Sequence, residues 1–273
     1  MSGDRPSPVD LRVPLAALGA LALLALVGPW LAPYDPLATP DPLTLAALPP
    51  SWAHPLGTDP SSRDVLSRML VGARLSLGIA ALAVIVSVVV GSAVGATAAL
   101  AGRWIDAALM RATDAMLAVP RLLLLLTAVA AFGRVSPLAL ALLLGATGWM
   151  TTARLVRSET RRLLASEAIR GARALGVPPA RLARVHLLPA LWPTIGVAAT
   201  VALASAVPLE AGLSFLGLGV TAPAPSWGTI ILEAEGRVVA RWWLVVFPTL
   251  AIVTTVLLTN LVAERVGGAD APE

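Results

Sequence analysis

The sequence has 273 residues, of which 57% are hydrophobic and 13% are charged, and its formal net charge is +4. Soluble globular domains carry about 25% charged residues, so this composition excludes an ordinary soluble domain. The absence of cysteine excludes disulfides, thiolate metal sites and cysteine nucleophiles. Uncharged runs long enough to cross a bilayer, about 20 residues each, predict an all-α integral membrane protein with six transmembrane helices.

The N-terminal part of the chain contains the first predicted span. Residues 13–32 form an apolar run that is longer than the roughly 7–15 residues of a signal-peptide core, and no A-x-A cleavage site follows. We therefore expect a retained transmembrane helix after a short polar segment, 1–12. Residues 33–74 are expected to form a proline-rich loop and a short amphipathic helix, because the prolines of the loop lack the amide donor that a helix needs.

The remaining spans are expected to form a five-helix core over residues 75–263. The third span, within 106–133, is the least regular because it carries four charged residues and Pro120. Either its helix starts at the membrane surface, or its first half lines a polar interior. The other predicted spans cover 75–101, 137–153, 191–209 and 243–263, and a tight loop at 133–137 precedes the second of these.

The distribution of arginine predicts the orientation of the chain in the membrane. All twenty basic residues are arginine. When the segment 154–184 is placed in the cytoplasm, the inside segments hold 14 arginines and the outside segments hold 6. Cytoplasmic loops of membrane proteins carry such an excess. We therefore expect both termini, including the tail 264–273, to be cytoplasmic.

A basic segment lies between the fourth and fifth predicted spans. It has eight arginines and two acidic residues within 154–184. Apolar residues recur at helical spacing over 155–175, Gly176 suits a left-handed helix C-terminus, and Pro179 suits the start of a second helix. We expect this second helix to end near Pro189. From the residues alone, the pair of helices either lies on anionic lipid or docks into a groove on a partner protein.

One acidic residue within the predicted spans is a candidate for the transport path. Glu210 lies near the outer end of the fifth span. It either lines a path through the membrane or pairs across helices, or it lies near the interface, where it is solvated or paired with Arg237 or Arg241. Ser214, four residues later, is the second candidate for the path. Outside the membrane, Asp59 and Asp64 are candidates for contact with another protein, but for Asp59 a cap on the helix that follows it is favoured.

Several kinds of chemistry are not expected in this chain. His54 and His186 fall on opposite sides of the membrane, so no shared metal site is expected. No G-x-x-x-x-G-K-[ST] phosphate-binding loop, G-x-S-x-G motif or H-E-x-x-H motif is present. The arginines lie in loops between apolar runs, which favours lipid headgroups and acidic protein partners over nucleic acid. The glycine-rich stretches LGLG and GSAVG are interpreted as sites of close helix packing.

The basic segment resembles the EAA loop of permease subunits in bacterial ABC importers. In that loop a glycine stands ten residues before a position that is followed by x-Leu-Pro, and this chain reproduces the spacing. The positions assigned to the loop are Arg170, Gly171, Ala172, Arg173, Gly176, His186, Leu188 and Pro189. Arg170 stands where the motif usually has its glutamate.

Four further stretches resemble the dipeptide, oligopeptide and nickel branch of the same family. They are HPLGTDPSSRDVLSRMLVGARLSL (54–77), RWIDAALMRATDAMLAVPRLLLLL (103–126), LEAGLSFLGLGVTAPAPSWG (209–228) and WWLVVFPTLAIVTTVLLTNLV (242–262). Ser62 departs from the branch, which usually has glycine at that position. The match extends from about residue 50 to the end of the chain.

The resemblance implies a type I permease subunit of an ATP-driven importer in the bacterial inner membrane. Such a subunit forms half of a path for di- or oligopeptides, and its cytoplasmic loop, here 154–190, couples transport to the ATPases. The implied partners are a second homologous permease, two ABC ATPases and an extracytoplasmic solute-binding protein. ATP and Mg would be bound by the ATPases, so the chain itself is expected to be neither an enzyme nor a cofactor-binding protein.

The sequence also leaves room for other functions. The same type of complex could import nickel or another small solute. A stand-alone secondary transporter is less favoured, because the sequence shows no convincing internal repeat. A membrane-embedded enzyme would need a catalytic pair within the spans, and Glu210 has no evident partner there.

Overall fold

The computed structural model describes residues 12–133 and 135–268. Helix accounts for 73% of the structure, and the described residues contain no strand. The helices are α1 (Arg12–Leu31), α2 (Val65–Leu100), α3 (Arg103–Ala118), α4 (Arg121–Phe132), α5 (Pro137–Ala146), α6 (Trp149–Leu164), α7 (Glu167–Ala174), α8 (Pro179–Leu182), α9 (Leu188–Phe215), α10 (Trp227–Leu232) and α11 (Trp243–Gly268). A π-helical turn, Ala183–Leu187, joins α8 to α9. Three parts of the chain lie outside the described residues: the predicted N-terminal segment except for Arg12, the single residue Arg134, and the end of the predicted tail, 269–273.

The apolar helices agree with the predicted all-α membrane class. Four helical stretches are long and apolar enough to cross a membrane: α1, α2, the π-helical turn with α9, and α11. Two bent pairs, α3 with α4 and α5 with α6, also pass this test when each pair is taken together. The described part of the chain therefore has four spans, or six if each bent pair crosses the membrane once.

A break divides the irregular third span into two helices. Val119 and Pro120 separate α3 from α4, and the two helix axes differ in direction by 82°. Proline has no amide donor and disfavours helical backbone in the residue before it, which accounts for the position of the break. The charged first half of the predicted span is thus a separate helix, and α4 is uncharged after Arg121.

Helix α2 is the centre of the bundle and contacts α1, α5, α6 and α9. Its 36 residues extend about 54 Å at 1.5 Å per residue, so the predicted amphipathic helix and second span form one continuous helix. Glycine lets α6 approach closely: a Cβ atom on Gly91 would lie 2.6 Å from the Thr152 Cβ, and Gly95 faces the Ala153 backbone. The close packing predicted for GSAVG (91–95) is confirmed.

The N-terminal cap of α2 corrects one prediction. Asp64, not Asp59, caps this helix, and its carboxylate accepts a 2.8 Å hydrogen bond from the Ser67 amide. Asp59 is fully buried and forms ion pairs with Arg63 and Arg68. The Asp59 carboxylate therefore neutralises buried arginines, whereas Asp64 lies directly before the first free amides of the helix.

The same arginines connect the start of α2 to a distant part of the chain. The Arg68 guanidinium donates to both carboxylate oxygens of Glu233 at 2.7 and 2.9 Å, and Arg63 donates to Glu233 at 2.8 Å. Burial raises the pKa of Glu233 above its ordinary value, while the positive charge of Arg68 opposes that shift. This cluster of two arginines and two acids attaches the end of the proline-rich loop to the segment after α10.

Candidate functional site

The basic segment forms a short helical hairpin made of α7, a glycine turn and α8. Ser166 caps α7 at its N-terminus. At the other end Gly176 has φ +78°, and the amides of Gly176 and Val177 donate to the carbonyls of Arg173 and Ala172 at 3.0 and 3.1 Å. This pair of hydrogen bonds is the Schellman arrangement, which satisfies the last carbonyls of a helix. The predicted glycine turn and the predicted start of the second helix at Pro179 are both observed.

A small apolar cluster holds the two arms of the hairpin together. Its buried members are Ile169, Leu182 and Leu187, and four partly buried side chains pack against them, namely Leu163, Leu164, Ala172 and Val177. Leu175 at the tip is 86% exposed, which is unusual for a large apolar residue unless a partner covers it. The hairpin therefore has its own apolar core and an uncovered apolar tip.

The residues assigned to the loop by sequence are mostly on the surface of this hairpin. Ala172 is half-buried, and the exposed residues are Arg170, Gly171, Arg173, Gly176, His186, Leu188 and Pro189. His186 lies in the π-helical turn, and Leu188 and Pro189 are the first two residues of α9. The structure thus brings these positions together on the two arms and at the base of the hairpin.

Two helix boundaries near the hairpin differ from the sequence-based expectation. The helix predicted over 155–175 is divided at Ala165, because the Ser166 side chain caps a new helix there. The second arm does not end near Pro189 but continues through the π-helical turn into α9. Proline is tolerated at the second position of α9, since the π-helical turn precedes it and few regular hydrogen bonds are lost.

Ion pairs join α6, which leads into the hairpin, to α3. The Asp106 carboxylate is nearly buried and accepts from Arg157 at 2.7 Å and from Arg161 at 2.5 Å. Nearer the end of α3, Asp114 pairs with Arg154 in an exposed position. Three arginines of the basic segment, Arg154, Arg157 and Arg161, therefore form ion pairs with acidic residues of α3.

Glu210 and Ser214 lie in a buried polar site between α9, α2 and the loop before α10. Both residues are fully buried, and the Ser214 hydroxyl donates to Glu210 Oε1 at 2.8 Å. The Val220 amide donates in turn to the Ser214 hydroxyl at 3.0 Å. The alternative of a solvated glutamate paired with Arg237 or Arg241 is wrong, because the packing of the neighbouring loop excludes Glu210 from solvent.

The stretch that contains Pro-Ser-Trp-Gly builds one wall of this polar site. Ser226 and Thr229 form a capping box at the start of α10, and the Trp227 amide donates to the Ser76 hydroxyl of α2 at 3.1 Å. A Cβ atom on Gly228 would overlap the Ala211 carbonyl of α9, so only glycine fits there. The glycine-rich LGLG stretch (216–219) forms a turn after α9, with φ +72° at Gly217. A Cβ atom on Gly219 would lie 2.5 Å from the Ser214 hydroxyl, so the close packing is between this turn and α9 rather than between two helices.

His54 and the other potential metal ligands are consistent with structural roles. His54 Nδ1 lies 2.9 Å from Asp64 Oδ1, and its ring lies 5.0 Å from the Tyr34 ring. Within the described ranges, no group of three or more His, Asp or Glu side chains is arranged to hold a metal ion.

Arg121 is the principal feature that the sequence interpretation did not assign to a site. It is the first residue of α4 and lies among neighbouring cavities bounded by α4, α6 and α9. The sequence does contain a signal for such a site, because Arg121 is a charged residue that directly follows Pro120 in an otherwise apolar span.

The all-helical bundle, its apolar spans and the polar hairpin between two of them define a membrane transport component. The chain belongs to the family described as binding-protein-dependent transport system inner membrane component, which matches residues 87–269. Membership establishes that the protein is a multi-pass membrane permease subunit. The resemblance to ABC importer permeases noted in the sequence is confirmed.

Relatives named as peptide permeases agree with this membership. The di/tripeptide transport system permease protein DppC of Pseudomonas aeruginosa (strain UCBPP-PA14) is 35% identical over 269 residues, covering 94% of this chain and 88% of the relative. A Brucella suis biovar 1 (strain 1330) protein with "peptide permease protein" in its name is 34% identical over 262 residues, covering 94% and 85%.

Solved structures with the same fold are inward-facing forms of the MetNI methionine ABC transporter. One chain aligns with a TM-score of 0.54 at 20% identity, and another with a TM-score of 0.57 at 18% identity. Each alignment covers 71% of this chain and 94% of the solved chain. At this level of identity the similarity establishes the permease fold alone.

Proposed function

We propose that this chain forms half of the translocation path of an ATP-driven importer for di- or oligopeptides. The observation that carries the peptide assignment is the 35% identity to a di/tripeptide permease across 94% of the chain. None of the comparisons favours the alternative of nickel. A stand-alone secondary transporter is disfavoured by membership in a family of binding-protein-dependent components.

The hairpin of α7 and α8 is the proposed contact with the ATPases. Its Schellman turn and apolar cluster make it a compact unit, and α6 and α9 connect it without a flexible linker to two candidate spans. A rigid unit of this kind transmits a shift in the ATPase to the spans instead of absorbing it. The exposed Leu175 and the surface arginines Arg170 and Arg173 are proposed to enter a cleft in the partner.

The proposed complex contains other chains that supply the energy and the solute. A second homologous permease completes the path, two ABC ATPases bind ATP and Mg, and an extracytoplasmic binding protein delivers the peptide. The excess of arginine in the inside segments supports an orientation with the hairpin and both termini in the cytoplasm. Membrane lipid surrounds the apolar spans.

Glu210 and Ser214 are proposed to lie in the wall of the translocation path and to influence which solutes pass. They lie outside the cavities around Arg121, and they hold the loop after α9 against the bundle. Rearrangement of that loop during transport would expose both side chains to the solute. Glu210→Gln is expected to change the uptake rate or the range of solutes while leaving the amount of subunit in the membrane unchanged.

Purification from the native membrane tests the proposal most directly. A tagged chain should bring with it a second six-span protein and Walker-type ATPases in near-equal amounts. The reconstituted complex, with its binding protein, should then accumulate a labelled dipeptide in liposomes only when ATP is supplied on the ATPase side. A chain that purifies alone and moves solute without ATP would contradict the importer assignment.

A further inference from the structure

Two cavities in the middle of the bundle meet at one charged side chain. The larger, of about 280 Å³, lies between α6 and α9, and its lining includes Thr151, Thr152, Val201 and Ser205. The smaller, of about 150 Å³, lies at the break between α3 and α4. Arg121 and Gly148 line both cavities, and no acidic residue lines either. The cavities are thus lined mainly by apolar side chains, and within residues 12–133 and 135–268 Arg121 contributes the one charge in either lining.

Among the described residues, no acidic side chain neutralises the charge of Arg121. Its three hydrogen-bond acceptors are the Leu144 carbonyl at 2.6 Å and the hydroxyls of Thr147 and Ser205, each at 3.3 Å. In the part of the chain that the structure describes, Arg121 forms no ion pair. Removing an arginine from water without a counter-ion is costly, and such a residue within a span is commonly functional.

The geometry leaves the guanidinium group ready to bind an anion. Arginine has five N–H donors, and the three acceptors above use one on each nitrogen. One N–H on each terminal nitrogen then has no acceptor among the described residues, and these two donors suit a carboxylate in bidentate fashion. The N-terminus of α4, where Arg121 lies, also favours a negative charge.

Gly148 provides the room in which the guanidinium lies. A Cβ atom at this position would stand 2.8 Å from a terminal nitrogen of Arg121 and 2.7 Å from the Ser87 hydroxyl. The bend of 41° between α5 and α6 occurs at Thr147 and Gly148, and it frees the Leu144 carbonyl that Arg121 binds. Two helix breaks therefore meet at the same charged group.

We propose that Arg121 binds a carboxylate of the solute as it passes through this permease. The ligand class is a peptide carboxylate, supplied either by the C-terminus or by an acidic side chain. This inference rests on the proposed function, since it assumes that peptides pass through the chain. It adds a recognition step within the membrane to the selection that the binding protein performs.

Direct binding to the purified importer complex in nanodiscs, without binding protein, tests the proposal. Three radiolabelled ligands are compared: a dipeptide with neutral side chains, its C-terminal amide, and the amide of a dipeptide that contains one glutamate. The wild-type complex should bind the free acid about tenfold or more tightly than the neutral amide. Recovery of affinity by the glutamate-containing amide would show that any carboxylate suffices, whereas no recovery would assign the site to the C-terminus.

Variants separate this role from a structural one at the helix break. Arg121→Gln keeps hydrogen-bond donors but removes the charge, so it should lower affinity for the free acid about tenfold and leave that for the neutral amide unchanged. The control for the loss of one positive charge is Arg74→Gln, because Arg74 is an exposed residue on a different helix, α2. If Arg121→Gln reduces uptake but binds the free acid like wild type, Arg121 only stabilises the break and the proposal is wrong.

Failure of the inference and failure of the proposed function give different results. A wild-type complex that takes up the dipeptide but binds all three ligands equally, or binds none, contradicts the carboxylate site alone. A wild-type complex that neither binds nor takes up any dipeptide contradicts the peptide importer itself.

Discussion

The Ser214 hydroxyl donates a hydrogen bond of 2.8 Å to Glu210 Oε1, one turn earlier on α9, while it accepts one from the Val220 amide. One buried hydroxyl thus connects a buried carboxyl group to the backbone of the loop that follows the helix. The bond satisfies Oε1 of Glu210, whereas Oε2 is buried without a hydrogen-bond partner among the described residues.

Ser214→Ala should therefore destabilise the protein. The substitution removes the hydrogen-bond partner of Glu210 Oε1 and of the buried Val220 amide, which costs about 1–3 kcal/mol. Ser92→Ala is the matched control, because the Ser92 hydroxyl is buried and has no hydrogen-bond partner. Thermal unfolding in detergent should show a lower Tm for Ser214→Ala and little change for Ser92→Ala. Equal Tm values for the two variants would contradict the role of this hydroxyl.

Gly228→Ala should disturb the packing of α10 on α9. A Cβ atom on Gly228 would overlap the Ala211 backbone, and backbone cannot move aside as a flexible side chain can. Gly212→Ala adds the same methyl group to α9 with nothing within 4 Å. We expect a reduced yield of folded protein and a lower Tm for Gly228→Ala only, measured by size-exclusion chromatography and thermal unfolding. A normal elution profile and Tm for Gly228→Ala would show that α10 can shift at no cost.

Gly176→Val should uncouple transport from ATP hydrolysis. Valine rarely adopts the left-handed conformation seen at φ +78°, so the Schellman turn opens and the hairpin loses its shape. We expect the complex to assemble while ATP-driven uptake is abolished. Gly176→Asn, which tolerates this conformation, should retain most uptake. Gly196→Ala, on α9 with nothing within 4 Å of the added methyl group, should behave like wild type. Wild-type uptake by Gly176→Val would exclude a coupling role for the turn.

Asp106→Asn should destabilise the contact between α3 and α6 more than Asp114→Asn does. Asp106 is 6% exposed and neutralises two arginines, whereas both members of the Asp114–Arg154 pair are about half exposed. Exposed pairs contribute about 0–1 kcal/mol, and removing one partner of a more buried pair costs more. Comparison of the two Tm decreases checks the prediction, which is wrong if the Asp114 variant loses as much as the Asp106 variant.

Ser62→Gly should stabilise the loop before α2. Ser62 has φ +65°, a conformation that costs a residue with a Cβ atom about 1–2 kcal/mol, and its buried hydroxyl has no partner. Part of this gain is offset by the greater freedom of glycine in the unfolded chain, so we expect a net gain of up to about 1 kcal/mol. Ser61→Gly, where no left-handed conformation is present, should not raise the Tm.

Several features of this protein were determined by its sequence alone, because they depend on a few neighbouring residues. The membrane class follows from the length of uncharged runs. The glycine turn at Gly176 and the break at Pro120 follow from backbone preferences that act within one turn of helix. These properties need no contact with another part of the chain.

Only the tertiary structure decided which polar groups meet. Asp59 and Asp64 both precede α2, and local sequence does not tell which of them caps the helix. Asp64 is the cap because Asp59 pairs with Arg68, which also binds Glu233, 165 residues after Arg68 in the chain. Arg121 reaches the Leu144 carbonyl only because the two helix breaks lie side by side. Burial of Glu210 likewise depends on the loop that folds back over α9. Such contacts depend on how helices cross and in what register they pack, and local sequence preferences carry no information about either.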